Sequence, residues 1–433
     1  MRLLGIVGAI AILATACSSG DAQPAIVATQ PHALAETSGV IATAGNDGLR
    51  LLRSDSSVVG APDIGSAVTQ PTWARDGSRL IAASLRGSDW QVSVIDGTSG
   101  EVISSGASTR PYFFFSWSYD GERVAALGPG VTGTTLDILD ADGTVIADSV
   151  VTGGSVYVAW EPGGSDLLIH SDTRLLLVEP DLSVSSLGTV DVGFLAPSWV
   201  PKSRNALVLA DRPGGSNLVM IDVDKRQSDP TSDVITDFGP TDGVVSVVVA
   251  PSGRNAALLH ITSAPLPDQS QTINAPRPPG VHGTDVSIAF GGRSVSSTAM
   301  SAATAPVEQL DLSTGDRKPI IDGIPFWGEW SPGGERLLVA TFDPVEGEGV
   351  WSAWEGGVVT TLTRWVPTPA FLQRYIAFAD QFVEQPRLWS PDGSAFTYAA
   401  RVADHDAVFI MDLDATTDPI EVDSAAVGFW SPG

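Results

Sequence analysis

A phrase recurs along this chain and leaves few folds open to it: a tryptophan closing an apolar strand, two or three turn residues with glycine, one or two polar residues, then a second apolar strand. It reads PTWARDGSRLIAAS from Pro71, FSWSYDGERVAALG from Phe115, VAWEPGGSDLLIHS from Val158 and PSWVPKSRNALVLAD from Pro197. It continues as VVVAPSGRNAALLHI from Val247, GEWSPGGERLLVATF from Gly328 and RLWSPDGSAFTYAA from Arg387, and stops as GFWSPG at the C-terminus. The anchors Trp73, Trp117, Trp160, Trp199, Val249, Trp330, Trp389 and Trp430 are spaced by 44, 43, 39, 50, 81, 59 and 41 residues. A basic unit of about 42 residues is the size of a four-stranded propeller blade.

Each unit divides the same way. A third strand ends in aspartate and a turn, at Asp96, Asp140, Asp222, Asp311 and Asp412, and the anchor-to-Asp offset is 23 for Asp96, Asp140, Asp222 and Asp412. A fixed offset marks hairpin turns rather than scattered acids. A fourth, more polar strand then leads to the next anchor. The N-terminal segments GVIATAG, GLRLLRSD and SSVVGAPD supply three strands without an anchor, and the last eleven residues supply an anchor strand with nothing after it. Joining the two completes one blade and removes the open edges of the sheet. The expected fold is all-β: a single β-propeller of about eight four-stranded blades, with seven or nine as the alternatives, its ring closed by joining N- and C-terminal strands. The long interval from Val249 to Trp330 is the source of the alternatives. The stretch 285–300, with Phe290 as its anchor, reads as a ninth degenerate repeat or as part of an insertion. The proline-rich run at 263–284 favours the insertion.

Composition agrees with this fold. Forty-five glycines and 30 prolines are too many for long helices, while a hydrophobic content of 43% with only 17% charged residues excludes disorder for the bulk of the chain. A formal charge of −26 argues against nucleic acid or an anionic membrane surface as partner.

The N-terminus predicts an address. Residues 1–17, MRLLGIVGAIAILATAC, place one positive charge before an apolar run that ends at the only cysteine of the chain. The run is too short for a bilayer span and reads as a secretory signal. Leu13-Ala14-Thr15-Ala16-Cys17 resembles a bacterial lipobox, with leucine four residues before the cysteine rather than the usual three. The resemblance implies a lipoprotein signal peptide at 1–16, lipidation at Cys17, a tether at 17–36 and the β-propeller at 37–433. The implied location is the cell envelope, lipid-anchored on the extracytoplasmic side of a bacterial membrane, periplasmic or at the cell surface. With one cysteine no intramolecular disulfide forms, so stability rests on core burial.

The phrases WSPDG at 389–393, WSPGG at 330–334 and SYDG at 118–121 resemble the WD-like propeller repeat of the TolB type, and the resemblance spans Gly39 to Gly433. It implies the fold; repeats of this kind serve binding, scaffolding and enzyme-gating roles alike. TolB carries an α/β domain before its propeller and works with a peptidoglycan-associated lipoprotein, whereas only the tether precedes the first strands here. The stretch FLQRYIAFADQFVEQPRLWSPDG at 371–393 is similar to one found in uncharacterised bacterial propellers.

Possible reaction centres were weighed against simpler readings. The anchor tryptophans invite a sugar-stacking reading, but a ring at the same place in every unit belongs between blades. Asp140-Ala-Asp142-Gly143 lacks the glutamate that closes a calcium loop, so turn chemistry is the better account. The histidines, His32, His170, His260, His282 and His405, share no metal-ligand spacing, and no nucleophile elbow, Walker loop or dinucleotide fingerprint occurs. No catalytic residue, metal or cofactor is therefore assigned.

Two long insertions, 263–306 after a second strand and 363–386 after a fourth, belong on the face opposite the short Asp turns. In the second, Phe371, Tyr375, Phe378 and Phe382 recur at helical spacing, which predicts an amphipathic helix lying over the propeller, either as a lid on its own blades or as a partner-binding element. Trp365, Phe371, Tyr375 and Phe378 are the candidate binding residues, for a protein partner or a small ligand. The expected function is a membrane-tethered extracytoplasmic scaffold. The alternatives are a hydrolase or lyase with its site in the channel, and an accessory lipoprotein to a membrane sensor or transporter.

Overall fold

A computed structural model describes residues 39–191, 196–241, 244–260, 306–343, 346, 348–375, 387–413 and 418–432. Eight antiparallel sheets follow one another along the chain. In blades 2 to 7 the strands are hydrogen-bonded in chain order, and the first strand of each is the innermost: Ser66–Trp73, Phe114–Trp117, Val156–Trp160, Ser198–Trp199, Val244–Val249 and Pro325–Trp330. The Val249 unit is one blade interrupted by an insertion. Its second strand, Asn255–His260, pairs directly with Val307–Asp311, so the ring has eight blades and not nine.

Blade 1 is built from both termini. Val427–Trp430 pairs antiparallel with Ile41–Gly45, setting Ile41 opposite Trp430 and Ala42 opposite Phe429. The joint extends past the strands, with Ser431 N–H donating to the Val40 carbonyl (2.7 Å) and Val40 N–H to Ser431 Oγ (2.9 Å). Asp423, on the last strand of blade 8, accepts from Arg50 Nη1 (2.7 Å) and from Thr43 Oγ1, which ties blade 8 to blade 1. Gly428 belongs at this seam because a Cβ there would lie 2.5 Å from a Val408 methyl.

The anchor rings sit between blades, and they do more than fill space. Trp117 Nε1 donates to Thr72 O (3.0 Å), Trp160 to Ser116 O (2.9 Å), and Trp199 to Ala159 O (2.9 Å). Trp330 donates to Val248 O (2.9 Å), Trp389 to Glu329 O (3.1 Å), and Trp73 to Phe429 O (3.1 Å). In each case the acceptor is the residue just before the anchor of the preceding blade, so one side chain both fills the seam and satisfies an inner-edge carbonyl that no strand reaches. Val249 has no donor, and its seam relies instead on Ser198 Oγ bonding Val247 O (3.1 Å) and on apolar side chains that include Met220 and Phe238.

The repeated aspartates are turn residues. Asp96 Oδ1 accepts from Thr98 Oγ1 and from the N–H groups of Thr98 and Ser99, which lowers its carboxyl to about 2. Asp140 Oδ1 accepts from the N–H groups of Asp142 and Thr144. Asp222 caps the short helix Val223–Ser228 by accepting from Lys225 N–H. These carboxylates spend their lone pairs on their own turns.

Candidate functional site

The antiparallel order gives the ring two unlike faces. One carries the turns after first strands, which repeat at five or six residues, and those after third strands, which range from the two residues 356–357 to the helix-containing connection 223–235. The other carries the connections after second and fourth strands: two-residue hairpins after the second strands of blades 1 to 5 and 8, together with the blade-to-blade crossings and the two long insertions. The insertion face is described only in part. Residues 261–305, nearly all of the first insertion, lie outside the described residues, as do Cys17, the expected signal peptide and tether, and Phe378 of the second insertion.

The described part of the second insertion packs against blades 7, 8, 1 and 2 at the mouth of the channel. After the fourth strand of blade 7, Val358–Trp365, the chain pairs Pro367 with Ala400 of blade 8 and enters a six-residue helix, Pro369–Arg374. Proline at the first helical position fits, since its missing N–H would be unpaired there in any case. Thr368 is the N-cap. Its Oγ1 accepts from Phe371 N–H (3.2 Å) and donates to Ala426 O (2.6 Å) at the start of the closing strand. Phe371 lies 5.4 Å from Trp327 of blade 7, Tyr375 lies 4.9 Å from Phe429 of blade 1, and Arg374 Nη1 reaches Val68 O of blade 2 (3.4 Å). Trp327, Phe429 and Val68 belong to innermost strands. A turn that touches the inner strands of blades 7, 1 and 2 lies at the rim of the channel opening.

The candidate aromatics accordingly face inward. Trp365, Phe371 and Tyr375 are 4%, 2% and 1% exposed and join a nest with Trp327, Trp351, Phe396 and Tyr398. Burial pushes the Tyr375 phenol well above its ordinary range. In this conformation the helix is the lid on its own blades, and these three rings offer a partner no surface. Helical spacing correctly grouped Phe371 with Tyr375 but carries no information on which way the shared face turns. The expected continuation through Phe378 and Phe382 lies outside the described residues.

Two charged features were not read from the sequence. Asp137, on the third strand of blade 3, is 1% exposed and accepts from Tyr112 Oη (2.7 Å), Arg110 Nε (2.8 Å) and Ser149 N–H (2.7 Å). Arg110 also reaches Asp148 (2.7 Å). This network pins the connection between blades 2 and 3 to the insertion face, and its arginine balances the buried carboxylate. Glu329, on the inner strand of blade 7, is buried; its Oε2 accepts from Leu388 N–H (3.1 Å), and its carbonyl accepts from the Trp389 ring. Burial pushes its carboxyl up to about 7, against the opposing pull of the Leu388 N–H and of Arg387.

Raising an acid's folded-state value means that the folded protein holds the extra proton, so this group's contribution to stability is present at low pH and is lost as pH rises from the ordinary carboxylate range through about 7. Glu329→Gln keeps an acceptor for Leu388 and removes the charge. Relative to the unaltered chain, the variant should gain on the order of 2 kcal/mol between pH 5 and pH 8.5. Urea unfolding of both proteins at the two pH values measures this, and a stability difference that does not change with pH contradicts it.

Among the described residues no group of three or more His, Cys, Asp or Glu is placed to hold a metal ion, and no helix is long and apolar enough to cross a membrane. A narrow cleft between blades 4 and 5, lined by His170, Leu175, Val190, Pro197, Val208 and Leu209, has a cavity volume of about 10 Å³. Sites for drug-sized ligands begin at about 300 Å³.

No family model matches the chain, and no curated protein matches it. Solved structures do. Dihydro-heme d1 dehydrogenase NirN, in complex with DHE, aligns over 94% of this chain and 79% of its own at 14% identity, with a TM-score of 0.58. A eukaryotic initiation factor aligns over 91% and 98% at 12% identity, with a TM-score of 0.53. TolB from Acinetobacter baumannii aligns over 82% and 83% at 14% identity; its TM-score of 0.41 is too low to carry an argument. An enzyme and an initiation factor share this architecture, so likeness at such identities reaches the fold alone. The chain is an eight-bladed β-propeller whose first blade is closed by the pairing of Ile41–Gly45 with Val427–Trp430.

Proposed function

We propose that this protein is a binding scaffold for another protein, held by lipid on Cys17 at the extracytoplasmic side of a bacterial membrane. The observation that carries the binding role is the contrast between the faces. One carries short turns apart from the connection with the helix Val223–Ser228, whereas the other carries both long insertions and the blade-to-blade crossings beside its two-residue hairpins. A rigid ring with one diversified face suits recognition, because non-repeating loops on a fixed frame give a partner a unique surface. The chain's own Thr368–Tyr375 packs on the inner strands of blades 7, 1 and 2, so on that side of the channel mouth a ligand would meet this turn. The tether rests on the lipobox-like start: two or three acyl chains anchor stably where one does not.

Two arms test this reading. Cys17→Ser should release an otherwise folded protein from membranes, and a variant that stays bound after high-salt and carbonate washing contradicts the anchor. Capture from solubilised membranes should be abolished by charge reversal at the exposed Asp89 and Asp404 on the insertion face, and unaffected by reversal at Asp142 and Glu355 on the other. The opposite pattern would place the partner on the Asp-turn face.

A further inference from the structure

The turn at the channel mouth has the anatomy of a bound peptide. Thr368, Phe371, Leu372 and Tyr375 stand at positions i, i+3, i+4 and i+7, the spacing with which a helical segment lays one face into a groove. All four are buried, at 0%, 2%, 5% and 1% exposure. A helix of six residues has little stability of its own, so its shape here is imposed by the groove. The groove is made by other parts of the ring: Trp327 of blade 7, Ala426 and Phe429 of the closing strand, and Val68 of blade 2.

The fit is incomplete on the blade 2 side. The inner strand there departs from regular pairing twice, with Ala67 and Gln70 both in the left-handed region at φ 49° and 54°. Such backbone is costly for residues other than glycine and persists where the surroundings hold it. Gln70 is 3% exposed and its Oε1 has no hydrogen-bond partner among the described residues. Two residues up the same strand, the single bond between Arg374 and Val68 O is long, at 3.4 Å. A segment that supplied a donor to Gln70 would gain what the resident turn forgoes.

We propose that the channel mouth is a peptide site which the chain occupies with its own Thr368–Tyr375, and that its partner presents a turn of the same chemistry: a hydroxyl cap, an aromatic and an aliphatic residue one turn on, and a second aromatic one turn further, with a donor directed at Gln70. This deepens the scaffold reading and rests on it. The resident turn competes with the partner, so the apparent affinity of the unaltered protein is lowered by the fraction of time the mouth is filled.

The probe is a labelled synthetic peptide of residues 366–375, VPTPAFLQRY, added to the full-length chain. Phe371→Ala/Tyr375→Ala, which loosens the resident turn, should bind it about tenfold or more tighter than the unaltered protein, as expected when a competing state is removed. Thr368→Val, which removes the cap and the Ala426 bond at constant volume, should show the same order, and a peptide carrying the two alanines should not bind. Equal binding to all folded forms, or binding to none, overturns the proposal. Hydrogen exchange on the unaltered protein decides the case even if a variant fails to fold. The amides of Leu372 and Tyr375 should exchange about 100-fold or more faster than those of Ile81 and Ala125, by local opening. Exchange of both sets only through global unfolding means the turn never leaves, and also overturns it. Peptide binding without partner capture would keep the site and remove the scaffold reading; capture without peptide binding would move the partner off the mouth and end this inference.

Discussion

Truncation after Ser424 is expected to leave no folded monomer. The deletion removes Val427, Phe429 and Trp430, of which the last two are fully buried, and leaves Ile41–Gly45 with an unpaired edge. It also removes Phe429 O, the acceptor for the Trp73 ring, and Ala426 O, the acceptor for Thr368. Three large apolar side chains contribute about 1.5–3 kcal/mol each on burial, which together is comparable to the whole stability of an ordinary domain. The bare edge offers a template for pairing with a second chain, so the expected product is aggregate or a strand-exchanged oligomer. Circular dichroism and size-exclusion chromatography check this. A truncated chain that stays monomeric and keeps its melting temperature contradicts closure by the termini.

Trp117→Ala should destabilise the ring by about 4 kcal/mol, the sum of a cavity in the seam between blades 2 and 3 and a carbonyl left without its donor. The ring is fully buried among Ala74, Ile81, Tyr112 and Leu139, and Thr72 O is 3.0 Å from its Nε1. Trp117→Phe separates the two effects: it keeps most of the fill, loses the bond, and should cost about 1–2 kcal/mol. The natural control is Val249, the anchor without an indole, where substitution by alanine should cost no more than about 2 kcal/mol because no inter-blade bond is lost. Urea midpoints of the variants measure the series. Equal losses for alanine and phenylalanine at position 117 would mean that the hydrogen bond contributes nothing beyond the ring's volume.

The architecture was legible because propeller blades repeat their physics. Seven of the eight anchors are tryptophans, and five third strands end in aspartate and a turn, so the same residues recur at fixed offsets. Even the interrupted blade could be counted, since Asp311 marks the end of its third strand as Asp96 and Asp140 do elsewhere. Contacts made once are another matter. Glu329 sits in GEWSPGG, where a glutamate beside a turn reads as solvated, and its burial depends on Leu388, 59 residues away. Asp137 belongs to a strand whose other carboxylate, Asp140, serves a turn, and only the approach of Arg110 and Tyr112 makes it a network centre. The inward facing of Trp365, Phe371 and Tyr375 follows from the shape of the channel mouth, a property of eight strands together that no local spacing encodes. Functional specificity lives in such single contacts, which is why the fold was readable and the partner was not.

Carboxyl labelling of the lipidated protein in native membranes, compared with the purified protein in detergent, tests the account most directly. Asp63, Asp89 and Asp404 are exposed on the insertion face, and Asp142, Asp224 and Glu355 are exposed on the Asp-turn face. The account predicts that the first three lose reactivity in the membrane while the second three keep it, since a partner seated on the diversified face shields only that side. Protection of Asp142, Asp224 and Glu355 with full labelling of Asp63, Asp89 and Asp404 would contradict it.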